Sequence, residues 1–537
     1  MFSKFSSSES HLEVLSFKSS LLAMLGIALV SMLIALDQTV VSTALPSIIK
    51  DLNGFNNYTW VANSYLLASV AVVPVFGRLG DIFGRKKFVI LSVIIFTSSS
   101  LLCAVSNDMT TLIIARALQG FGGGMMVGNA FACVPDLFPS SHDRIKWQVV
   151  ISMAFGTGTA LGPTLGGFLA EDFSWRWAFL INLPVGVFSL VMLSIFLPKS
   201  RKLPSTLNNK AKVDYLGGIL ITLLLAASQW FTERATNQGL TLTNASLLLV
   251  IVILCIIFYR CEKIAAHPIV PIELLKGVDT LKLLILSIFI GYIMFSVMYF
   301  MPLLLQGGFG RTPQEAGIIV TPFALCMALG SMLNTRIIIQ LSKPVRILVT
   351  GFTFLLICSV SISFLTPDSS NFHLLLILAI GGVGLGFSIN NLNVFSQDLV
   401  GKNHFGIITA LLQSTRMIGG MLGTTLTGTF INIHYSGLVQ SKLSGSDYSS
   451  LALRIRQQFS DPQLLIDTDK QSKLLEMFTP EMISPHSLIQ LGRESLINTL
   501  NLAFVSVAFI ATIGVIITFS LMHLRLYQST NSLKKLQ

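Results

Sequence analysis

The sequence predicts an all-α polytopic membrane protein with about fourteen transmembrane helices. Three observations point there: the composition, the spacing of long apolar runs, and the placement of lysine and arginine between them. Apolar residues make up 52% of the 537 residues and charged residues 11%, against about 25% charged in an average soluble domain. Mean hydropathy is +0.73. A chain of this length would form three or four soluble domains, and it lacks the polar surface to clothe them. The net charge of +11 is too thinly spread for a nucleic-acid face and bears instead on orientation in a bilayer.

A hydrocarbon core about 30 Å thick needs roughly 20 apolar residues in helical form. Runs of that kind, bounded by charges, Pro or Gly clusters, fall at about 20–48, 60–77, 88–106, 111–138, 147–169, 177–197, 214–231, 243–260, 281–305, 315–340, 346–366, 372–395, 406–433 and 499–524. The first run follows Lys18 without a small-residue cleavage site, so it reads as a retained span. Lys and Arg test the count. With the N-terminus inside, the inner segments carry Lys4 and Lys18, Arg78 with Arg85, Lys86 and Lys87, Arg144 with Lys146, and five cations between Lys199 and Lys212. Further on they carry Arg260, Lys263, Lys276, Lys343, Arg346, Lys402, Arg525, Lys534 and Lys535, whereas the outer loops hold little beyond Lys50, Arg176, Arg234 and Arg311. That bias, about five to one, places both termini in the cytoplasm and supports the parity of the count. A polar stretch at 434–497, between spans thirteen and fourteen, falls outside and suits short amphipathic helices: a lid, or a docking surface for a partner.

The loop between spans two and three reads Gly77-Arg78-Leu79-Gly80-Asp81-Ile82-Phe83-Gly84-Arg85-Lys86-Lys87. Orientation alone does not require its acid. The segment resembles the loop signature of the major facilitator superfamily, G-x-L-x-D-x-x-G-R-[KR]-[KR]. Leu36-Asp37-Gln38-Thr39-Val40-Val41-Ser42-Thr43-Ala44-Leu45-Pro46 in span one is similar to the signature of the fourteen-helix drug:proton antiporters, the EmrB/QacA type. Arg116, Gln119 and Gly120 resemble that family's fourth-helix R-x-x-Q-G motif, and Gly158, Gly162, Pro163, Gly166 and Gly167 its fifth-helix antiporter motif.

The resemblance implies a major facilitator fold of two six-helix bundles plus two additional helices. It divides the chain into a cytoplasmic tail (1–19), an N-terminal bundle (20–197), linker segments with two extra helices (198–280), a C-terminal bundle that includes the loop 434–497 (281–524), and a cytoplasmic tail (525–537). It also implies a proton-coupled exporter of amphipathic drugs in the cell (inner or cytoplasmic) membrane, driven by the proton gradient without a cofactor. In a double-membraned bacterium such exporters work with a periplasmic adaptor and an outer-membrane channel. A transporter of one defined solute, such as a siderophore, amino acid or organic anion, fits the same scaffold.

Asp37 and Arg116 stand out on physical grounds as well. An ionised group inside an apolar span costs about 2.5 to 3.5 kcal/mol on insertion scales, so it needs a partner or a task. At 1.5 Å per residue from Ser20, Asp37 lies about 25 Å across, and Arg116, on a span of opposite direction, about 8 Å from the outer end. Similar depth makes them candidates for a pair or a water-bridged relay. A neighbouring guanidinium favours the ionised form of a carboxylate and loss of water disfavours it, so such a site can be poised to trade a proton. In the resembling family the acid and the arginine at these positions are implicated in proton coupling and cation recognition.

Arg416, in Arg416-Met417-Ile418-Gly419-Gly420-x-x-Gly423 of span thirteen, is another costly interior cation. It is expected to face an anionic substrate group or a carboxylate the sequence does not identify. Asp81, Arg85, Asp136 and Arg144 are candidates for an inner charge cluster that, by resemblance, latches the halves in one state; Gly77, Gly84 and Lys86 belong to the same gating loop. Trp175 and Trp177 would suit an interfacial belt. Asn390, Asn391 and Asn393 could line the cavity. The six cysteines lack metal or disulfide spacing and read as small buried hydrophobes. No P-loop, HExxH or nucleophile elbow is present, so neither an enzyme nor an ATP-driven pump is expected.

Overall fold

The computed structural model describes the chain apart from residues 1–16, 131–132, 134–136, 138–140, 199–213, 239–240, 266–267, 269–276, 341–344, 401–404, 444–458, 468–469, 472–484 and 523–537. Within the described residues the long elements are all helices: α1 (Phe17–Leu52), α2 (Tyr58–Phe83), α3 (Arg85–Ala104), α4 (Met109–Asn129) and α5 (Ser141–Asp172), then α6 (Asn182–Phe196) after a single turn at Trp177–Leu180. There follow α7 (Tyr215–Gln238), α8 (Leu242–Ile264), α9 (Val278–Leu303, extended by a π turn at Leu304–Gly308), α10 (Pro313–Gln340), α11 (Val345–Ile362), α12 (Asn371–Val400), α13 (Phe405–Leu443) and α14 (Pro485–Ser520). Ten helical stretches in the described residues are long and apolar enough to cross a membrane by length and composition. Those not among the ten include α4, α5 and α13, whose sequences are rich in Gly, Ser and Thr, residues that let neighbouring backbones approach in a bilayer.

The helices pack as two related halves. In the first, α1 packs on α5 and α6, α2 on α4, and α3 on α4 and α6; in the second, α9 packs on α13 and α14, α10 on α12, and α11 on α12 and α14. Adding eight to a helix number in the first half gives its counterpart in the second. The halves meet along two seams that this relation exchanges, α5 with α10 and α2 with α13, and α1 also touches α9. The inserted helices α7 and α8 pack on each other, and α7 reaches α2 and α13 at the second seam.

Polar contacts between the halves cluster toward the face that carries the α1–α2 and α13–α14 connections. The Tyr58 hydroxyl donates to the Tyr299 carbonyl (2.6 Å), Asn63 Nδ2 to Thr425 Oγ1 (2.8 Å), Gln306 Nε2 to the Thr43 carbonyl (3.2 Å), and Thr164 and Thr321 share a hydroxyl bond of 2.6 Å. The Thr424 hydroxyl also donates to Asn63 Oδ1. Backbones touch where glycines allow it: a β-carbon on Gly167 would lie 2.3 Å from the Pro313 carbonyl oxygen, and one on Gly317 would lie 2.3 Å from that of Pro163.

The connection between α13 and α14 is shorter than the polar stretch at 434–497 suggests. Helix α13 runs on to Leu443 and α14 begins at Pro485, because Tyr435, Val439, Leu443 and Leu488 keep a buried apolar face through those polar extensions. Between them a 3-10 turn at Pro462–Leu465 is folded down onto both halves. Gln463 Nε2 donates to the Ile49 carbonyl (2.9 Å) and Asn53 Oδ1 (3.1 Å) at the end of α1, and the Tyr435 hydroxyl donates to the Phe459 carbonyl (3.0 Å).

Candidate functional site

The interior of the first half holds a closed polar box. Asp37 on α1 is fully buried, as is Arg116 on α4, and Arg116 Nη1 lies 2.8 Å from Asp37 Oδ2. Gln119, one turn after Arg116, donates from Nε2 to Asp37 Oδ1 (2.7 Å) and to Ser100 Oγ on α3 (2.7 Å), while its Oε1 accepts from Arg116 Nη1 (2.8 Å). Asn182, the first residue of α6, donates from Nδ2 to Asp37 Oδ1 (3.0 Å) and Ser100 Oγ (3.0 Å). Arg116 Nε donates to the Val61 carbonyl on α2 (3.2 Å), and its guanidinium carbon stands 4.6 Å from the Tyr65 ring centroid. Three donors therefore converge on one carboxylate, and the guanidinium is shared among a carboxylate, an amide, a carbonyl and an aromatic face.

Local sequence explains the convergence. Residues three apart on a helix share a face, so Arg116 and Gln119 point together at α1. The glycines of α5 back that helix: β-carbons on Gly158, Gly162 and Gly166 would lie 2.7 Å from the Met32 carbonyl oxygen, 1.7 Å from Thr39 Oγ1 and 2.3 Å from Thr43 Oγ1. Spaced four apart, they present a flat face that presses α5 against α1 on either side of Asp37. Gly167, on the next face, meets α10 instead.

Asp37 is twenty residues from Phe17 and fifteen from Leu52, or about 30 Å and 22 Å along the helix. It is nearer mid-helix than the sequence suggested, because α1 runs on past 48 to Leu52. Asn182 and Ser100 belong to the box and were missed from sequence, since neutral polar residues are common in membrane helices; the serine run at 98–100 was the available signal.

Other candidates are dispersed. Gly77 packs against the Gly128 carbonyl, and Gly84 caps α2 with a φ of 94°. Lys86 Nζ donates to the carbonyls of Ser194 (2.8 Å) and Leu197 (2.5 Å), so it caps the C-terminal end of α6. Arg85, at the start of α3, is half-buried. Asp136 and the side chains of Asp81 and Arg144 lie outside the described residues. Asn391 is fully buried, with Nδ2 donating to Asn334 Oδ1 (2.8 Å) and the Phe387 carbonyl (2.6 Å), which joins α12 to α10. Asn390 Nδ2 reaches the Ser331 carbonyl at 3.5 Å and Asn393 is half-buried. The Trp pair divides, with Trp175 buried and donating to Asp51 Oδ2 (2.8 Å) and Trp177 exposed. All six cysteines are free, and Cys255 is exposed on α8.

Two pseudo-equivalent helical halves, with a seam on each side and a charge pair sealed within one half, are the architecture of a polytopic membrane transporter. The Major Facilitator Superfamily model matches residues 27–424, and the chain belongs to that family. The multidrug transporter protein MdtP of Bacillus subtilis (strain 168) is 30% identical over 509 residues, 93% of each chain. Multidrug resistance protein 3 of the same organism is 29% identical over 471 residues, 87% of this chain and 90% of its own. Among solved structures, a bacterial homolog of the human lysosomal transporter Spinster, in an inward-facing and unoccupied conformation, aligns with a TM-score of 0.63 at 16% identity over 94% of this chain and 98% of that one. A mutant of the nucleoside transporter NupG aligns at 0.59 and 11% identity, over 94% and 100%.

Proposed function

We propose that this protein exports amphipathic compounds across the cell membrane in exchange for protons, with Asp37 as the proton acceptor. The buried Asp37–Arg116 pair carries the reading. A proton on Oδ2 would occupy the position that now accepts from Arg116 Nη1 and cancel the charge that holds the guanidinium there. The freed cation would then have to find other partners in a medium where an unmatched charge is expensive. Protonation and a shift of α4 against α1 are thereby linked. The names of the two Bacillus subtilis relatives support a broad cargo, and the clustered lysines and arginines support an arrangement with both termini in the cytoplasm. The contacts between Gln463 and α1 favour a lid over an adaptor surface for the α13–α14 connection.

Purified protein in liposomes with an imposed pH gradient tests the reading. Wild type should accumulate a fluorescent amphipath, a protonophore should collapse the accumulation, and Asp37→Asn should abolish gradient-driven transport while inserting normally. Undiminished gradient-driven transport by Asp37→Asn would refute the assignment.

A further inference from the structure

The two interior arginines are treated in opposite ways. Arg116 has no exposed surface and is matched by a carboxylate. Arg416, eleven residues into α13 and so about 16 Å from the helix start, is only half-buried, and its hydrogen-bond partner is Gln413 one turn away on the same helix. The ion pairs of the described residues do not include it. The helices around it offer no replacement. Among the described residues the carboxylates on the helices of the second half are Asp279 at the start of α9, Glu315 at the start of α10, Asp398, exposed, two residues before the end of α12, and Glu494, exposed, nine residues after the start of α14 on the side of the α13–α14 connection. Helix α13 contains no Asp or Glu, and α11 contains none.

Its location is equally specific. At the α2/α13 seam Thr59 meets Gly428 and Asn63 meets Thr424 and Thr425, an antiparallel register that puts residue 416 two turns beyond the last of these contacts, about 12 Å further from the sealed face. The backbone there is fixed, because a β-carbon on Gly291 of α9 would lie 1.9 Å from the Arg416 carbonyl oxygen. The guanidinium thus occupies a set place midway through the bundle, beyond the bonds that join the halves at this seam, with an amide beside it and no carboxylate paired to it among the described residues. Keeping an unmatched cation at that depth is costly.

Building on the export reading, we propose that Arg416, assisted by Gln413, is a substrate-binding residue that recognises the anionic group of an acidic amphipath, a sulfonate or carboxylate attached to an aromatic or aliphatic body. A planar guanidinium suits such a group through paired, charge-assisted hydrogen bonds. The site lies on the second half, apart from the proton box.

A matched pair of probes tests this: 1-anilinonaphthalene-8-sulfonate and N-phenyl-1-naphthylamine, which share an aryl-naphthylamine body and differ in the sulfonate. Binding to purified protein and transport into proteoliposomes are measured for wild type, Arg416→Ala and Arg416→Lys. The proposal expects Arg416→Ala to weaken sulfonate binding and uptake at least tenfold while leaving the neutral probe within twofold, and Arg416→Lys to restore part of the sulfonate signal. Equal loss of both probes in a folded Arg416→Ala protein, or no loss of either, overturns it. Arginine-dependent sulfonate binding without gradient-driven transport of either probe would sustain this site and overturn the export reading instead.

Discussion

Replacing Gly317 with alanine should open the sealed face by a calculable amount. The added β-carbon would sit 2.3 Å from the Pro163 carbonyl oxygen and 3.1 Å from its carbonyl carbon, where ordinary contact begins at 3.4 Å. Both neighbours are backbone and cannot rotate away, so α10 must withdraw from α5 by about 1 Å at this level. Overpacking of this kind costs about 1 to 3 kcal/mol. Only the state in which the seam is closed bears that cost, so the balance between closed and open forms should move by roughly 5- to 150-fold, at about 1.4 kcal/mol per factor of ten. The assay is the rate at which a membrane-impermeant maleimide labels a cysteine at position 59, which faces Gly428 across the other seam, in a background lacking the six native cysteines. Gly317→Ala should accelerate labelling within that range, and Gly167→Ala, with its β-carbon 2.3 Å from the Pro313 carbonyl oxygen, should do the same. Gly437→Ala, which meets nothing within 4 Å, is the control. Unchanged labelling in a Gly317→Ala protein as thermostable as its parent would refute the reasoning that backbone contact at this seam sets the closed position.

Two further outcomes follow from the connections. Gln463→Ala removes two hydrogen bonds made by a buried amide to α1, a loss of about 2 kcal/mol at about 1 kcal/mol net for each. Hydrogen exchange around residues 459–467 should quicken roughly thirtyfold; unaltered exchange would show that apolar packing alone holds the segment down. Asp108 caps α4, accepting from the Thr111 hydroxyl (2.6 Å) and backbone amide (2.9 Å), and the Thr111 hydroxyl bond first, then its amide, hold the carboxyl below its ordinary 3.8. Its folded value is the lower one, so the cap contributes fully above 3.8 and is lost as pH falls through that lower value. Protection of the Thr111 amide should decline over that window in wild type and show no such decline in Asp108→Ala.

Much of the architecture is readable before any coordinates, because a bilayer demands long apolar runs and the positive charges mark which ends share a side. The proposed run at 281–305 corresponds to α9, Val278–Leu303, and that at 346–366 to α11, Val345–Ile362. The reading falters where a helix leaves the apolar layer. Residues 434–443 and 485–498 are polar enough to pass as a loop, yet Tyr435, Val439 and Leu488 keep them helical through contacts whose partners lie elsewhere in the chain. In the box, Asp37 and Arg116 are conspicuous because a charge in an apolar run demands a reason. Asn182 is separated from Asp37 by 145 residues, and nothing in its own neighbourhood says that it faces a carboxylate. Asn391 shows the converse: a polar side chain in a span suits a water-lined cavity and a buried helix contact equally well, and nothing in its neighbourhood announces the bond it makes to Asn334 on α10.

The side chains of the polar box all come from the first half: Asp37 from α1, Ser100 from α3, Arg116 and Gln119 from α4, and Asn182 from α6. Arg416 belongs to the second. On the roles proposed above, proton exchange and cargo contact would sit on separate pieces of the chain, joined by seams made of backbone, hydroxyls and amides. A lineage could retune what it carries by substitutions around α13 without disturbing how it is powered. Conversely, first halves exchanged between relatives would bring the polar box with them intact.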